Sequence, residues 1–500
     1  MNSKVDNELT LNAITKWTEQ FPERLVYKTK ERNYTYGELG QQSNKIAHYV
    51  QSMVATSKPI VIFGDLQFEM VAAFVGVSKA GLPYIPISSD TPPDRLQLIL
   101  QTAEPALIIR VNTDTDKELD YAIPQVTYDE LMQFDGTIET KFTGVQPDDT
   151  YYIIFTSGTT GVPKGVQISH ANLSRFVHWM LTDFDLRDGS TYLAQAAYSF
   201  DLSVMGLYPA LASGSILAPL KKEETVNFKQ LFTRLPELSL ENWISTPSFI
   251  DICLMEPSFD AEHYPTISHF LFCGEELTHA TATLLSERFP QAKIFNTYGP
   301  TEATVAISGV EITKDILDTY KRLPIGYVKS DTRIIIDEQS KEINIVGPTV
   351  SKGYLNNAEK TKEAFFEFEG QPAYHTGDAG SLDENGLLFY EGRIDFQVKL
   401  HGYRIELEEV EHHLSQCPYV KQAIVIPKWQ DHKVQQLVAV VIPENSPFEK
   451  PFQLTKAIRE AASQTLMDYM VPKRFVYKET FPMTQNGKVD RKALHAEVNQ

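Results

Sequence analysis

The feature that most constrains the fold is a repeated order of short buried strands and apolar helices in the first third of the chain. A β-branched run at 59–63 ends at Gly64, and apolar residues at 68–77 then recur at helical spacing. The alternation continues, with further elements predicted at 83–87 (strand), 95–102 (helix), 106–110 (strand) and 151–155 (strand). Strands that alternate with helices form largely parallel sheets with helices on both faces. The pattern therefore predicts an α/β fold.

The amino-acid composition changes after about residue 395, which predicts a second domain. Lys, His and Glu become frequent, and strands are expected near 420–427 and 437–443, followed by a helix at 454–467. A stretch of about 100 residues is a usual domain size. We predict a large N-terminal domain over 1–394, with parallel-type sheets layered with helices, and a small α+β C-terminal domain over 395–500.

Composition excludes several classes of protein. The chain has 46 Lys plus Arg against 65 Asp plus Glu, and its formal net charge of -19 repels a nucleic-acid backbone and an anionic membrane surface. The amino end lacks the apolar run of a secretory signal, and no stretch approaches the roughly 20 apolar residues of a spanning helix. Three widely spaced cysteines fit a reducing compartment. We expect a cytoplasmic protein with no nucleic-acid partner and no membrane insertion.

A loop dense in Gly, Ser, Thr and Lys follows the predicted strand at 151–155. Residues 156–165 read Thr-Ser-Gly-Thr-Thr-Gly-Val-Pro-Lys-Gly. The glycines allow backbone N–H groups to approach an oxyanion closely, the hydroxyls add donors, and Lys164 supplies a positive charge. No Ser or Thr follows the lysine, so the loop differs from that of the common nucleotide hydrolases. This composition predicts a phosphate-binding loop, with an ordinary polar turn as the alternative.

A second polar cluster follows a predicted strand at 293–295. Residues 296–302 read Asn-Thr-Tyr-Gly-Pro-Thr-Glu, and Gly-Pro makes a sharp turn at a strand end, where open α/β sheets bind their ligands. Tyr298 can stack on a purine ring. Glu302 can bind Mg²⁺, which takes one or two carboxylates together with substrate phosphates. Taken alone, the segment fits an ordinary turn better.

Three further candidate functional residues lie in segments that the sequence predicts to be turns. Asp378 in Thr-Gly-Asp can accept hydrogen bonds from two adjacent ribose hydroxyls, and Arg393 in Gly-Arg-Ile-Asp adds a charged donor. Lys488 follows an Asn-Gly pair, from which its ammonium can reach a site on the other domain. In isolation, such an Asp is more often a turn former or helix cap, and such a lysine is more often solvated surface.

At these motifs the chain resembles the adenylate-forming superfamily, which includes acyl- and aryl-CoA synthetases, luciferases and the adenylation domains of non-ribosomal peptide synthetases. Eight segments match its signatures in order along nearly the whole chain: 34–39, 79–86, 156–165, 296–302, 346–354, 376–378, 392–411 and 486–491. Ala379, His401 and 341–344 depart from the usual pattern without removing a proposed functional side chain. The resemblance implies a small mobile C-terminal domain and a site for ATP and Mg²⁺.

The resemblance also implies roles for individual residues. It assigns Lys488 as the catalytic lysine, Asp395 as the hinge between the domains and Glu302 as the Mg²⁺ ligand. The residues that it assigns to ATP are Thr156, Ser157, Gly158, Thr159, Thr160, Lys164, Asn296, Tyr298, Gly299, Thr301, Asp378, Arg393 and Lys488.

Asp201, in Phe-Asp-Leu-Ser, stands where amino-acid-activating members keep an acidic residue for the substrate ammonium. A buried carboxylate needs a cation partner, which a zwitterionic amino acid supplies and a fatty acid does not. The alternative is that Asp201 caps a helix that begins at Leu202, because Asp is a good N-cap residue.

Residues 271–277, Leu-Phe-Cys-Gly-Glu-Glu-Leu, are most similar to members that activate D-alanine for teichoic acid D-alanylation. By this similarity Cys273 would line the substrate pocket. It can act there as the wall that rejects the L enantiomer, with Met205 shaping the floor of the pocket. The alternative for Cys273 is an inert buried thiol. The residues assigned to the amino acid are Asp201, Leu202, Met205, Cys273, Thr297, Val305 and Lys488.

The resemblance implies two half-reactions. ATP and D-alanine give D-alanyl-AMP and pyrophosphate, and the adenylate then passes to the thiol of a phosphopantetheinylated D-alanyl carrier protein. A stand-alone adenylation enzyme or an acyl-CoA ligase for another small acid remains the alternative. Candidates for a basic patch that meets an acidic carrier are Lys399, Arg404, Lys473 and Arg474, although a solvated face is an equal alternative.

Overall fold

The computed structural model describes residues 8–111, 122–136, 142–158, 161–430, 433–444, 446–448, 450–483 and 489–499. The strands before residue 394 are β1 (Leu25–Lys28), β2 (Asn33–Thr35), β3 (Ile60–Phe63), β4 (Tyr84–Ile87), β5 (Leu107–Arg110), β6 (Gln125–Thr127), β7 (Thr150–Thr156), β8 (Lys164–Ser169), β9 (Thr191–Ala194), β10 (Ile216–Pro219), β11 (Asn242–Ser245), β12 (His269–Phe272), β13 (Lys293–Tyr298), β14 (Ser308–Glu311), β15 (Tyr327–Val328), β16 (Arg333–Ile336), β17 (Glu342–Val346), β18 (Phe365–Phe368), β19 (Gln371–Leu382) and β20 (Leu388–Arg393).

Helices separate most of these strands. They are α1 (Thr10–Gln20), α2 (Tyr36–Met53), α3 (Phe68–Lys79), α4 (Pro93–Ala103), α5 (Tyr128–Met132), α6 (His170–Asp183), α7 (Leu202–Ala212), α8 (Lys222–Thr225), α9 (Phe228–Leu238), α10 (Pro247–Leu254), α11 (His279–Arg288), α12 (Lys314–Thr319) and α13 (Ala358–Ala364), with a 3₁₀ turn at Thr301–Ala303.

Two large sheets confirm the predicted α/β class. The first has the strand order β6-β5-β3-β4-β7-β8 and is parallel except for β8 at its edge. The second has the order β15-β14-β13-β12-β11-β9-β10-β1-β2 and is parallel from β13 to β1. The predicted strands at 59–63 and 83–87 and the helix at 68–77 correspond to β3, β4 and α3.

Helices α3 and α7 owe their position to their composition. Both are apolar on all sides, and their residues are buried almost throughout. A helix without a polar face is stable when it is enclosed by other elements. Residues of both helices pack in one core cluster with strands from both large sheets. This shared core joins the two sheets, so the ends of their strands are held in fixed relation.

A third sheet in the large domain is antiparallel, unlike the two that the alternation predicts. It has the order β16-β17-β19-β18, and β20 pairs with β19. Its strands follow one another through short connections with a single intervening helix, α13. The sheet ends at Arg393, next to the predicted division at 395, which stays a prediction.

The last hundred residues have their own strands, helices and core, as the predicted α+β domain requires. The elements are β21 (Gln397–Leu400), β22 (Tyr403–Glu406), α14 (Leu407–Gln416), β23 (Val420–Gln430), β24 (Lys433–Pro443), α15 (Pro451–Ala462), β25 (Arg474–Tyr477) and α16 (Arg491–Val498). Strands β21 and β22 form a hairpin, and β23-β24-β25 form a mixed sheet against α14 and α15.

Helix α15 ends earlier than the expected 454–467. Its last residue is Ala462, and the hydroxyl of Ser463 donates to the carbonyl of Arg459 at 2.8 Å. A serine hydroxyl that bonds back to the helix favours its termination. Among the described residues, none of the helices combines the length and the apolar composition needed to cross a membrane.

Candidate active site

The candidate site lies where strands of both large sheets end. In the nine-stranded sheet, β12 and β13 are parallel neighbours with Phe272 opposite Asn296. Cys273 and Thr297 therefore follow at the same sheet edge, and the Thr297 hydroxyl donates to the Phe272 carbonyl at 2.8 Å. The carboxyl ends of parallel strands are where open α/β sheets bind ligands. The position of the site agrees with the expectation from the sequence.

Asp201 is buried at the start of α7 and acts there as a hydrogen-bond acceptor for Thr301. The Thr301 hydroxyl donates to its carboxylate at 2.6 Å. The side chain makes no capping bond to the described backbone of α7, so the alternative role as a helix cap is absent. Burial raises the pKa of Asp201 to about 6. A buried carboxylate at this place is stabilised by any cation that enters the pocket.

An apolar wall surrounds Asp201. Leu202, Met205, Cys273 and Val305 are all buried and belong to one core cluster. The Cys273 thiol donates to the Val305 carbonyl at 3.7 Å, and burial raises its pKa, which keeps it protonated. Among the residues assigned to the amino acid, Cys273 and Val305 are thus in contact, with the thiol held toward the Val305 carbonyl.

Asp378 and Tyr298, two of the residues that the resemblance assigns to ATP, are in direct contact. The Tyr298 hydroxyl donates to one Asp378 oxygen at 2.5 Å, and Arg393 donates to the other at 2.8 Å. The turn-like setting expected for Asp378 and Arg393 is wrong. Asp378 lies within β19, and Arg393 is its partner at the end of β20, because Thr-Gly-Asp continues an antiparallel ladder instead of closing a turn.

Two other residues assigned to ATP serve the packing of the loop after β13. The Asn296 amide donates to the Pro324 carbonyl at 2.8 Å. Gly299 passes so close to the following chain that a Cβ there would lie 2.6 Å from the Ala306 Cα. Any larger residue would push these segments apart, which explains the glycine at this turn.

Glu302 is completely buried and bonds to groups from both domains. Arg404, from the β21–β22 hairpin, donates to its two oxygens at 2.9 and 2.8 Å, and the Tyr354 hydroxyl donates to Oε1 at 2.8 Å. Burial alone would raise the pKa of Glu302, but the Arg404 guanidinium and the Lys164 ammonium hold it below its usual range. Arg404 therefore does not form a surface patch, as its charge had suggested, since it is enclosed in the site.

The phosphate loop is engaged by the small domain. The Ser157 hydroxyl donates to the Arg404 carbonyl at 2.9 Å, and the Gly158 N–H donates to the Glu409 carboxylate at 3.0 Å. Lys164 lies 3.6 Å from a Glu406 oxygen. Burial lowers the pKa of Lys164. Two carboxylates thus occupy a loop whose donors suit phosphate oxygens, as expected for an anion-binding loop.

A buried ion pair ties the loop to the rest of the interface. Arg95 on α4 donates to the other oxygen of Glu409 at 2.6 Å, and both side chains are almost completely enclosed. Glu409 therefore joins α4 and the phosphate loop at once. A second pair between the domains, Lys433 with Asp251 at 2.7 Å, lies nearer to solvent.

A cavity of about 550 Å³ opens between the domains beside Arg393. Asp395, Glu275 and Tyr390 line it, together with Lys399, whose ammonium lies 5.8 Å from the Tyr298 ring. Arg393, which lines the cavity, also donates to Asp378, and the cavity is large enough for a small ligand.

Some assigned residues cannot be placed in this geometry. Thr159, Thr160 and Lys488 lie outside the described residues, so their roles stay predictions. Thr156 is described and pairs with Lys164 in the ladder of β7 and β8.

Four contributors to the site were missed. Tyr354, Glu406 and Glu409 fall inside segments already matched to the superfamily, so those segments held the signal but no role. Arg95 has no local signal, since its partner is 314 residues away. Such long-range pairs become visible only after the domains are folded and packed.

Comparison with known proteins gives a consistent result. The profile described as "AMP-binding enzyme" matches residues 14–355, and the profile described as "AMP-binding enzyme C-terminal domain" matches 409–488. The chain is 50% identical over 503 residues to the D-alanine--D-alanyl carrier protein ligase of Lactiplantibacillus plantarum, covering 98% of this chain and 99% of that protein. It is 44% identical over 506 residues to the ligase of the same name from Listeria monocytogenes, with coverage of 98% and 99%.

Solved structures share the fold. An adenylation domain from Vibrio cholerae, solved with glycyl-adenosine-5'-phosphate, superposes with a TM-score of 0.81 at 22% identity and covers 99% of both chains. The o-succinylbenzoate CoA synthetase of Bacillus subtilis gives a TM-score of 0.84 at 19% identity, covering 97% of this chain and 98% of that one.

Proposed function

The chain belongs to the family of AMP-binding enzymes, and from this membership we propose that it is an ATP-dependent ligase that activates D-alanine. The first half-reaction joins the D-alanine carboxylate to the α-phosphorus of ATP and releases pyrophosphate. In the second, the phosphopantetheine thiol of a D-alanyl carrier protein attacks the D-alanyl carbonyl and releases AMP. Two curated relatives of the same full length carry the name of this activity.

The observation that carries the proposal is the buried Asp201 carboxylate within an apolar wall. The amino acid's ammonium would take this carboxylate as its partner, since a buried negative charge is stabilised by a cation. The Thr301 hydroxyl would keep the carboxylate oriented. Leu202, Met205 and Val305 are buried apolar residues of the same core. This combination suits a small amino acid and disfavours a fatty acid.

Selection for the D form would depend on Cys273. The ammonium and carboxylate of alanine fix two points of the substrate, so a third point must reject the wrong methyl group. The Cys273 side chain is buried 3.7 Å from the Val305 carbonyl and cannot easily move away. We assign it as that wall, with Met205 as the floor.

Phosphate groups of ATP would replace the small-domain carboxylates in the phosphate loop. The Gly158 N–H, the Ser157 hydroxyl and Lys164 would donate to them, and Asp378 would accept from the ribose hydroxyls beside Tyr298. Lys488 would contribute a further positive charge to the reacting carboxylate and phosphate. Fixed donors that match developing charge supply most of the rate in phosphoryl chemistry, so no protein nucleophile is needed.

Glu302 is the residue that would hold Mg²⁺. Its buried carboxylate already binds a cation, the guanidinium of Arg404, which shows that the position accepts positive charge. Among the described ranges, no group of three or more His, Cys, Asp or Glu side chains could hold a metal alone. A single carboxylate together with substrate phosphates fits the usual coordination of Mg²⁺, which would neutralise the charge of the leaving pyrophosphate.

The position of the small domain against the phosphate loop suits the second half-reaction. Glu406 and Glu409 lie on the phosphate loop and Arg404 on Glu302, so a bound triphosphate and this seating of the small domain exclude each other. We assign 1–394 and 395–500 as the two domains and Asp395 as the hinge. Rotation at Asp395, a hinge-type transition, would move Lys488 out of the site and bring the β21–β22 hairpin into it.

The decisive experiment is ATP–pyrophosphate exchange with D-alanine, L-alanine, glycine, D-serine and a short fatty acid. D-Alanine should support the fastest exchange, followed by thioester formation on a purified holo-carrier protein. Fastest exchange with a fatty acid or with L-alanine would refute the assignment. Since ATP and the carrier are intracellular substrates, we place the enzyme in the cytoplasm.

A further inference from the structure

Tyr354 contacts Glu302 and Lys164, the residues assigned to Mg²⁺ and to the ATP phosphates, and has no role in the mechanism proposed above. We propose that Tyr354 is a positioning residue that holds the Glu302 carboxylate and the Lys164 ammonium in their binding geometry. The role rests on the proposed function, because it concerns the same nucleotide site.

The two ends of the Tyr354 side chain make different contacts. Its hydroxyl donates to Glu302 Oε1 at 2.8 Å, and the Lys164 ammonium lies 5.2 Å from the centre of its ring. A hydrogen bond to a carboxylate is stronger than one between neutral groups, and an ammonium is attracted to the face of an aromatic ring. One side chain thus links the metal side and the phosphate side of the site.

The surroundings keep Tyr354 in place. It is 5% exposed, and its ring packs edge-on against Phe365 at 5.3 Å between ring centres. Its backbone forms a bridge with Val166, two residues after Lys164. The Ser351 N–H just before it donates to the Glu302 carbonyl at 2.8 Å. The segment is therefore bonded to the strands or turns that carry both of its partners.

The Tyr354 contacts should survive the rotation of the small domain, whereas those of Arg404 should not. Tyr354, Glu302 and Lys164 all lie in the large domain, and Arg404 lies beyond the hinge. With Arg404 gone, the phenol remains as a donor to Oε1 and leaves Oε2 free to face a cation.

The test measures Mn²⁺ binding to the full-length enzyme saturated with β,γ-imido-ATP, by electron paramagnetic resonance. Tyr354→Phe keeps the ring and loses the hydroxyl, so Mn²⁺ affinity should fall by about tenfold, the usual scale for a hydrogen bond to a charged group. Affinity for the analogue without a divalent ion should stay within twofold of wild type. Tyr354→Leu should weaken that affinity as well, because Lys164 also loses the ring. Unchanged Mn²⁺ affinity, or equal loss with and without metal, would overturn the role.

Two controls separate positioning from a general structural effect. In a Glu302→Gln background, Tyr354→Phe should cause no further loss of Mn²⁺ affinity, and an additive loss would count against the role. Tyr27→Phe removes another buried phenol of the large domain and should leave both affinities unchanged. If Tyr354→Phe melts more than 5 °C below wild type, 3-fluorotyrosine at position 354 replaces it. This stronger donor should tighten Mn²⁺ binding, and no change would again overturn the role.

The readout also distinguishes the two proposals. Mn²⁺ and analogue binding need no amino acid. A wild-type enzyme that binds both but shows no exchange with D-alanine would refute the proposed function and leave the Tyr354 result standing. An active wild-type enzyme with a Tyr354→Phe variant of normal Mn²⁺ affinity would refute the role of Tyr354 alone.

Discussion

The amino-acid half of the site and the phosphate half are built differently. In the amino-acid half, Asp201 is held by Thr301, and both residues precede the proposed hinge. The phosphate loop and Glu302 instead bond to Arg404, Glu406 and Glu409 from beyond it. The contacts described for Asp201 and Thr301 lie within the large domain, whereas those of the phosphate half are shared between the domains. Contacts within a domain preserve recognition, whereas contacts between domains can change between steps.

The largest expected effect tests whether the amino-acid half acts alone. Asp201→Asn keeps the shape of the side chain and removes its charge, which leaves the substrate ammonium unpaired in a buried site at a cost of roughly 3–5 kcal/mol. We expect kcat/KM for D-alanine to fall about 10³-fold, since each 1.4 kcal/mol is tenfold. Pyrophosphate exchange measures the loss, and nucleotide affinity should change less than threefold. A loss of activation below tenfold would remove Asp201 from the site.

The second prediction concerns the shared half. Glu409→Gln leaves the buried Arg95 charge uncompensated and should destabilise the described seating of the small domain by about 3 kcal/mol. Transfer from preformed D-alanyl-AMP to the carrier should slow about 100-fold, with a much smaller change in pyrophosphate exchange.

Lys433→Ala is the matched control for that variant. It breaks another ion pair between the domains, whose Asp251 side chain is 40% exposed, and exposed pairs contribute little. Transfer should change less than threefold. If Lys433→Ala and Glu409→Gln slowed transfer equally, burial of the Arg95 pair would not be what holds the domains together.

A third prediction tests the wall within the amino-acid half. Cys273→Ala should lower the ratio of kcat/KM for D-alanine over L-alanine by about tenfold, because one methyl-sized contact is worth about 1–3 kcal/mol of discrimination. The KM for ATP should stay within twofold. Exchange assays with both enantiomers measure the ratio, and an unchanged ratio would show that another residue selects the hand.

The smallest effect concerns pH. With the pKa of Asp201 raised to about 6 by burial, its charge is lost as pH falls through 6, and kcat/KM for D-alanine should decline with it. Thr301→Val removes a bond that favours the anion, so the decline should move to higher pH by about half a unit or more. A pH profile between 5 and 8 measures both. An unmoved profile in the variant would contradict the assignment of this limb to Asp201.

Local sequence was sufficient for much of the fold. The elements β3, α3 and β4 follow from hydrophobic spacing alone, whereas the phosphate-binding role of the loop at 156–165 stays a prediction from its composition. The antiparallel sheet of β16 to β20 was not anticipated, and three of its strands, β16, β18 and β20, are only partly buried. Asp378 was expected in a turn, although it lies within β19.

The shared half of the site resisted prediction for a physical reason. A charged residue on a hairpin is usually exposed to solvent, and nothing near Arg404 in the sequence indicates a buried partner. Its partner, Glu302, is 102 residues away and on another domain. Hydrophobic periodicity reports which face of an element is buried, but it carries no information on how two domains pack.

Under the proposed function, the charges of the β21–β22 hairpin and α14 would set an order of events. Arg404 resembles the metal in charge, and Glu406 and Glu409 resemble the phosphates, so neither domain would be left with an isolated buried charge when the ligands leave. Release of pyrophosphate would clear the place that the hairpin then takes, and arrival of new ATP would expel the hairpin. Release of pyrophosphate would thus determine when the small domain changes its position, and accumulated pyrophosphate would inhibit transfer of D-alanine to the carrier.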